Sequence, residues 1–164
     1  MMAINSILES SKLIAENRLK IAFAESATAG WLASEFSFVP ESGEIFLGGI
    51  VCYDVCVKEE LFGIPKKTID RYTAESAEVT QLLAERLPKF FNSDISVAVT
   101  GLTSPGGSET PEKPVGTMFI HINVQDKKYV SHREVFTGSP KEIINQAVAK
   151  VGVLLLELLK THHL

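Results

Sequence analysis

A serine and a lysine, thirty-two positions apart, carry the chemistry that this sequence suggests most directly. Ser26 follows the apolar run Leu19–Ala24 and Glu25, in a segment typical of a buried strand that turns into a helix. A serine in such a turn can face outward while backbone N–H groups point at a developing negative charge. Lys58 follows a second apolar run, and burial can lower the pKa of a lysine until its neutral amine accepts a proton. Ser26 is therefore a candidate nucleophile and Lys58 a candidate base.

Each of these residues also has an ordinary structural explanation. Ser26 or Thr28 at the start of a helix is a common N-cap, and lysines are mostly solvated surface charges. Glu59 and Glu60 would oppose a lowered pKa of Lys58 if they faced its amine, although adjacent helical positions do not share a face. Neither residue, taken alone, distinguishes catalysis from structure.

A third segment rich in glycine follows the apolar strand Ile95–Thr100. Residues 100–108 read Thr-Gly-Leu-Thr-Ser-Pro-Gly-Gly-Ser, a composition that can bend the backbone into a nest of N–H donors for an anion. The spacing matches neither the dinucleotide-binding nor the P-loop pattern, so an ordinary surface loop explains it equally well. The length of the irregular stretch Gly101–Pro114 nevertheless favours a functional role.

Composition and charge limit the class of protein. The chain has 164 residues and a formal net charge of −4, which disfavours nonspecific binding to nucleic acid or acidic membranes. Cys52 and Cys56 give no disulfide framework, and no Cys/His spacing predicts a zinc site. No apolar run reaches the roughly 18 residues that span a bilayer, and no secretory signal is present. We therefore expect a cytoplasmic protein with no bound metal.

The elements that must position these residues alternate between helix and strand. Helices are predicted at 5–17, Thr28–Phe38, Val55–Phe62, Ala74–Phe91 with Thr73 as cap, and from Pro140 onward with Ser139 as cap. Strands are predicted at Leu19–Ala24, Ile45–Tyr53, Ile95–Thr100, Val115–Val124 and Tyr129–Phe136, the last two forming a hairpin around residues 125–128.

This alternation predicts an α/β fold: a three-layer α/β/α sandwich around a mixed sheet of about five strands. We find no repeat and no linker, so residues 1–164 are expected to form a single domain. Ligands of open α/β sheets bind beyond the carboxyl ends of the strands. The serine, the lysine and the glycine-rich segment all follow such strand ends.

Four ordered motifs give the chain a family resemblance. They are Ala24–Gly30, similar to A-E-S-C-T-G-G; Gly48-Gly49 followed by Tyr53 and Lys58; Thr100–Gly107, similar to T-G-I-A-G-P-x-G-G; and Lys113–Thr117, an unchanged K-P-V-G-T. Together they resemble the C-terminal domain of the CinA family over nearly the whole chain. Full-length members carry a separate N-terminal molybdopterin-binding-like domain, which we expect to be absent here.

The resemblance implies an activity. Members that have it hydrolyse the carboxamide of nicotinamide mononucleotide to nicotinate mononucleotide and ammonia, without a metal or other cofactor, and they are often dimers. By this resemblance Ser26 and Lys58 are the catalytic pair, Tyr53 orients Lys58 or relays a proton, and we expect a homodimer. The implied contacts to the nucleotide substrate are Thr28, Gly30, Gly49, Thr100, Gly101, Thr103, Ser104, Gly106, Gly107 and Arg133.

Departures from the family pattern leave the substrate open. Before the last helix the family reads G-D-R, with a second arginine a few residues later, whereas this chain has Pro140 and, near the later position, Asn145. Arginine is the natural bidentate partner of a phosphate, and Arg133, His132 or Lys141 would have to replace it. Two alternatives therefore stand beside the nucleotide: a Ser/Lys amidase acting on another small amide, and a catalytically silent nucleotide- or partner-binding domain.

Overall fold

The computed structural model describes residues 2–125 and 128–161, which contain the five-stranded mixed sheet that the sequence predicts. The strands are β1 (Ile21–Glu25), β2 (Phe46–Val51), β3 (Ile95–Gly101), β4 (Thr117–Val124) and β5 (Lys128–Val135). Their order across the sheet is β2-β1-β3-β4-β5. Strand β1 runs parallel to both of its neighbours, while β3, β4 and β5 pair antiparallel. The carboxyl ends of β1, β2 and β3 therefore meet at one edge.

Helices cover both faces of this sheet. They are α1 (Met2–Glu16), α2 (Trp31–Ser37), α3 (Ser42–Ile45), α4 (Val55–Glu60), α5 (Lys66–Tyr72), α6 (Ala77–Arg86) and α7 (Pro140–Lys160), with a 3-10 turn at Leu87–Lys89. Because successive strand residues point to opposite faces, Ile21 and Phe23 pack with α1, α2 and α7, whereas Ala22 and Ala24 pack with α6. Two buried apolar clusters result, one on each side, and the predicted three layers are confirmed.

Several predicted helix boundaries are wrong. Helix α6 begins at Ala77 and is capped by Ser76, whose Oγ accepts the Val79 N–H at 3.3 Å. Thr73, the predicted cap, lies outside the helix with a φ of 69°, which prevents the helix from extending back to it. Asp126 and Lys127 of the predicted hairpin loop lie outside the described residues.

Two short helices, α3 and α5, were not predicted, and α2 begins at Trp31 rather than Thr28. The capping box at the start of α7 is present as predicted: Glu142 accepts the Ser139 N–H at 2.7 Å. Within residues 2–125 and 128–161, none of the helices is both long enough and apolar enough to cross a membrane.

Candidate active site

Ser26 lies one residue beyond the carboxyl end of β1, between the ends of β2 and β3. Its backbone N–H donates to the carbonyl of Val99 at 2.9 Å, so the chain stays paired with β3 as it leaves the strand. Its side chain is buried, with 5% of the residue surface exposed. The serine is therefore held by the sheet rather than by a flexible loop, which favours a fixed nucleophile.

The carboxylate of Glu25 organises the serine turn, the segment of residues 25–30 that joins β1 to α2. Its Oε2 accepts from the Thr28 hydroxyl at 2.6 Å and from the N–H groups of Gly30 and Leu32 at 3.0 Å each. Its Oε1 accepts from the Ala33 N–H at 2.8 Å. This buried carboxylate thus satisfies the first N–H groups of α2, which is the function of an N-cap.

Lys58 reaches Ser26 from the short helix α4, which begins after β2. Asp54 caps this helix by accepting the Cys56 N–H at 2.8 Å. Lys58 occupies the last turn of the helix and is fully buried. Its Nζ lies 3.0 Å from Ser26 Oγ, so the predicted pair meets in space.

The oxygen atoms around Lys58 fit both an ammonium, which can donate to all three, and a neutral amine. Besides Ser26 Oγ, its Nζ contacts the carbonyl oxygens of Cys52 at 2.7 Å and Tyr53 at 3.1 Å. A neutral amine has two hydrogens, enough for the two carbonyls, and one lone pair, which then faces the serine hydroxyl. In this arrangement Ser26 can donate its proton to Lys58, the geometry that a general base requires.

Burial lowers the pKa of Lys58 from its usual value, because the charged ammonium loses its hydration. The carboxylates of Glu75 and Asp54 oppose this shift more weakly. Burial also raises the pKa of the Cys52 thiol to about 11, so Cys52 is neutral at ordinary pH and supplies no counterion. Among the described residues, Lys58 forms no ion pair with a carboxylate.

The side chain of Tyr53 does not contact the lysine. Its backbone carbonyl accepts from Lys58, while the residue is 67% exposed and lies at the cavity wall. The sequence prediction that Tyr53 orients Lys58 therefore applies to its backbone. In the described contacts, the phenol makes no hydrogen bond to the amine.

A cavity of about 210 Å³ opens above the serine. Five of the predicted substrate contacts line it, all from the segment after β3: Gly101, Thr103, Ser104, Gly106 and Gly107. Ser26 and Tyr53 line it as well. The remaining lining residues were not predicted: Ala27, Glu75, Leu102 and Pro105.

Two predicted contacts in the serine turn are structural instead. The Thr28 hydroxyl and the Gly30 N–H are both bonded to Glu25, and neither residue lines the cavity. Gly30 has a φ of 94°, a conformation that side chains rarely adopt, which explains the glycine.

Three further predicted contacts also point elsewhere. A Cβ on Gly49 would approach the Phe23 carbonyl oxygen to 3.3 Å, so this glycine allows close packing of β2 on β1. Thr100 is fully buried, and its Oγ1 lies 2.9 Å from that of Thr80 in α6. The Arg133 guanidinium donates to the Glu112 carbonyl and lies over the Phe119 ring. None of these three residues lines the cavity.

The backbone donors left for an oxyanion lie in the turn rather than in the helix. The N–H groups of Leu32 and Ala33 at the start of α2 are bonded to Glu25. In the described part of the chain, no bond to the N–H of Ala27 or Thr28 is found, and Ala27 lines the cavity beside Ser26. These two groups are the candidates to meet negative charge that develops near the serine.

The glycine loop, residues 101–116, is fastened by Lys113. Its Nζ donates to the Thr73 hydroxyl at 2.6 Å, the Ser108 hydroxyl at 2.8 Å and the Glu75 carbonyl at 3.0 Å. The lysine of the K-P-V-G-T motif therefore ties the loop to the segment before α6. Its pKa is lowered by partial burial, while Glu75 opposes that shift.

No arrangement of three or more His, Cys, Asp or Glu side chains in the described ranges is suited to hold a metal ion. The chemistry available at the cavity is that of a serine hydroxyl, an amine and backbone N–H groups. These are the components of acyl transfer through a covalent intermediate.

Comparison with known proteins identifies the family of this chain. The sequence profile of the CinA C-terminal domain matches residues 5–159. This chain belongs to the CinA C-terminal domain family. A CinA-like protein of Thermotoga neapolitana is 35% identical over 151 residues, covering 92% of this chain and 35% of that protein. One from Leptospira borgpetersenii is 34% identical over 148 residues, with coverage of 90% and 35%. This chain thus spans about a third of these relatives.

Solved structures share the fold. The competence or damage-inducible protein of Enterobacter asburiae superposes with a TM-score of 0.90 at 22% identity, covering 96% of this chain and 98% of that one. The competence damage-inducible protein A of Klebsiella pneumoniae gives 0.91 at 22% identity, with 99% of each chain covered. The CinA fold predicted from the four motifs is therefore confirmed.

Two acidic residues of the site were missed by the sequence prediction. Glu25 belongs to the serine motif, but it lies six positions before α2 begins, so its contact with the Leu32 N–H has no local sequence signal. No sequence pattern marks Glu75 as a site residue, because only folding brings the segment before α6 to the end of β1.

Proposed function

We propose that this domain is an amidohydrolase in which Ser26 is the nucleophile and Lys58 the general base, with nicotinamide mononucleotide as the leading substrate. The observation that carries the proposal is the 3.0 Å contact between a buried amine and a serine hydroxyl at the floor of a cavity. Membership of the CinA family supports the substrate.

The reaction would proceed by two acyl transfers. Neutral Lys58 takes the Ser26 proton as Oγ attacks the carboxamide carbon, and the N–H groups of Ala27 and Thr28 face the oxyanion. Collapse of the tetrahedral intermediate breaks the C–N bond, and ammonia leaves with the proton returned from Lys58. Water then gives a proton to Lys58 as it attacks the ester on Ser26, and Lys58 returns that proton to Ser26 Oγ as the carboxylic acid leaves.

A second candidate is a small amide without a phosphate. No arginine or lysine is among the described residues that line the cavity. The nearest candidates for binding a phosphate are engaged elsewhere: Lys113 with Thr73, Glu75 and Ser108, and Arg133 with the Glu112 carbonyl. Phosphate binding usually requires such cations, so this observation favours a substrate without that group.

The test measures ammonia released by purified protein from nicotinamide mononucleotide and, separately, from nicotinamide riboside. We expect turnover that disappears in Ser26→Ala, which removes the nucleophile and leaves Glu25 and the turn intact. Activity on the riboside alone would favour the second candidate. Absence of turnover with both compounds would contradict the amidohydrolase proposal and leave a binding domain as the explanation.

A further inference from the structure

Glu75 contributes the charged side chain among the described residues that line the cavity. A single carboxylate beside a nucleophilic serine has no part in the acyl-transfer steps, so its contribution must concern the substrate or the field at the base. We propose that Glu75 selects amides that carry a positive charge next to the carboxamide. This inference rests on the proposed function and specifies its substrate class.

The carboxylate is held firmly in the wall of the cavity. Its Oε2 accepts from the Ser108 hydroxyl at 2.5 Å, and its backbone carbonyl accepts from Lys113 Nζ at 3.0 Å. The next residue, Ser76, caps α6 and is buried. A carboxylate fixed in this way pays little entropy when it meets a charged ligand, which makes it a preorganised cation partner.

The Lys113 ammonium does not neutralise Glu75 by direct contact. Lys113 reaches the carboxylate only through the Ser108 hydroxyl, which it contacts at 2.8 Å, and forms no ion pair with Glu75 among the described contacts. The Lys113 charge, one hydroxyl away, offsets part of the carboxylate field. The remainder acts on the cavity, where a positive ring would be attracted and an anionic group repelled.

The same field acts on the base. The charge of Glu75 raises the pKa of Lys58, against the larger effect of burial. A cationic substrate beside Glu75 offsets that field and so favours the neutral form of Lys58. Substrate charge and the protonation of Lys58 are thereby coupled: at a given pH, more of the Lys58 amine is neutral and able to accept a proton in the complex with a cation than in the complex with a neutral amide.

Two substitutions separate the charge of Glu75 from its hydrogen bond. Glu75→Gln removes the charge, and its amide oxygen can still accept from Ser108. Ser108→Ala removes the hydrogen bond and leaves the charge. The probes are a matched pair of amides: N1-methylnicotinamide, whose ring is cationic, and nicotinamide, whose ring is neutral. The measurement is kcat/KM for ammonia release from each.

We expect the unmodified protein to prefer the cationic amide by about tenfold or more, as for one partly screened charge pair. Glu75→Gln should lower the ratio of kcat/KM for the cationic amide to that for the neutral amide by about tenfold. It should also shift the acid limb of the pH profile with nicotinamide to lower pH. Ser108→Ala should keep the ratio. An unchanged ratio in Glu75→Gln, or an equal loss of ratio in both variants, would overturn the inference.

Binding to Ser26→Ala separates this inference from the proposed function. Calorimetry would compare the affinity of the two amides for Ser26→Ala and for the double variant that also carries Glu75→Gln. A preference for the cation that disappears in the double variant supports charge selection even without turnover. Equal affinities in the two proteins would overturn charge selection, whereas absence of ammonia release from both amides in the unmodified protein would count against the amidohydrolase.

Discussion

The described part of the chain contains two close Ser–Lys pairs, one with Ser26 in the cavity wall and one with Ser108 bonded to the lining residue Glu75, and only one has the arrangement of a catalyst. In the serine turn, Lys58 Nζ lies 3.0 Å from Ser26 Oγ, and in the glycine loop Lys113 Nζ lies 2.8 Å from Ser108 Oγ. Each amine contacts three oxygen atoms, and burial lowers the pKa of both lysines. Residue types and distances alone therefore do not distinguish the two pairs.

The difference lies in where each serine directs its hydrogen. Ser108 donates its hydrogen to the Glu75 carboxylate at 2.5 Å, so it has no proton to give to Lys113. Ser26 has no carboxylate partner in the described contacts, and two carbonyls occupy the donor hydrogens of Lys58. A Ser–Lys pair becomes a nucleophile and base when nothing else accepts the serine proton; otherwise it is a structural clamp.

The largest expected effect comes from removing the amine in each pair. Lys58→Met should lower kcat by about a thousandfold, within the range of general-base catalysis, because Ser26 then has no proton acceptor. Lys113→Met should change kcat by less than about tenfold and raise KM, because it loosens the loop without touching the serine. Steady-state ammonia release checks both. Equal losses in the two variants would contradict the distinction between catalyst and clamp.

The next effect concerns the support of the serine turn. Glu25→Ala should lower the free energy of unfolding by about 3–5 kcal/mol, because it leaves buried N–H groups at the start of α2 unpaired. Glu25→Gln should fall between that variant and the unmodified protein, since its amide can replace only one acceptor oxygen. Denaturant unfolding followed by circular dichroism measures this.

A matched control for that series is Glu35→Ala on the same helix, whose side chain makes none of the described hydrogen bonds. It should stay within about 0.5 kcal/mol of the unmodified protein. If Glu25→Ala were as stable as Glu35→Ala, the carboxylate would not be what holds the turn.

The smallest effect is the pH dependence of the intact enzyme. Because neutral Lys58 is the proposed base and burial lowers its pKa, kcat/KM should rise with pH, with a midpoint below the ordinary lysine pKa of about 10.4. Below that midpoint the rate should fall about tenfold per pH unit as the amine becomes protonated. Initial rates from about pH 6 to about pH 10 test this.

An independent readout of the same group is stability. Since the folded protein releases the Lys58 proton at a lower pH than the unfolded chain, the free energy of unfolding should increase with pH across that interval. Lys58→Met should lose this increase, whereas Lys66→Met, at an exposed position on α5, should keep it. If Lys58→Met remained active and its kcat/KM still rose with pH in the same way, another residue would be the base.

Much of the fold could be predicted because its signals are local. The buried strands β1 and β3 are apolar runs in the sequence, and Ser139 and Glu142 form the capping-box pattern that predicts the start of α7. The boundaries that failed depended on contacts from elsewhere. Thr73 is not the cap of α6. Its hydroxyl instead accepts a hydrogen bond from Lys113, forty positions later in the chain.

The candidate site divides in the same way. Loop residues such as Thr103 and Gly106 line the cavity as expected, because the whole glycine loop follows the end of β3. Thr100 and Gly49 do not, since each lies inside a strand, where alternation directs it into the packing. A sequence motif marks the neighbourhood of a site but not the direction of each side chain.

The sequence by itself determined the layered α/β architecture and predicted Ser26 as the nucleophile and Lys58 as the base, because strand periodicity and ordered motifs are properties of the chain alone. Only the tertiary structure decided that Lys58 is buried against two carbonyls, that Glu25 is committed to α2 and that Glu75 enters the cavity. The reason is physical. The pKa of Lys58, the hydrogen-bond partners of each side chain and the electrostatic field in the cavity all depend on neighbouring atoms. Parallel pairing of β1 with β2 and β3 brings these atoms together from distant parts of the chain.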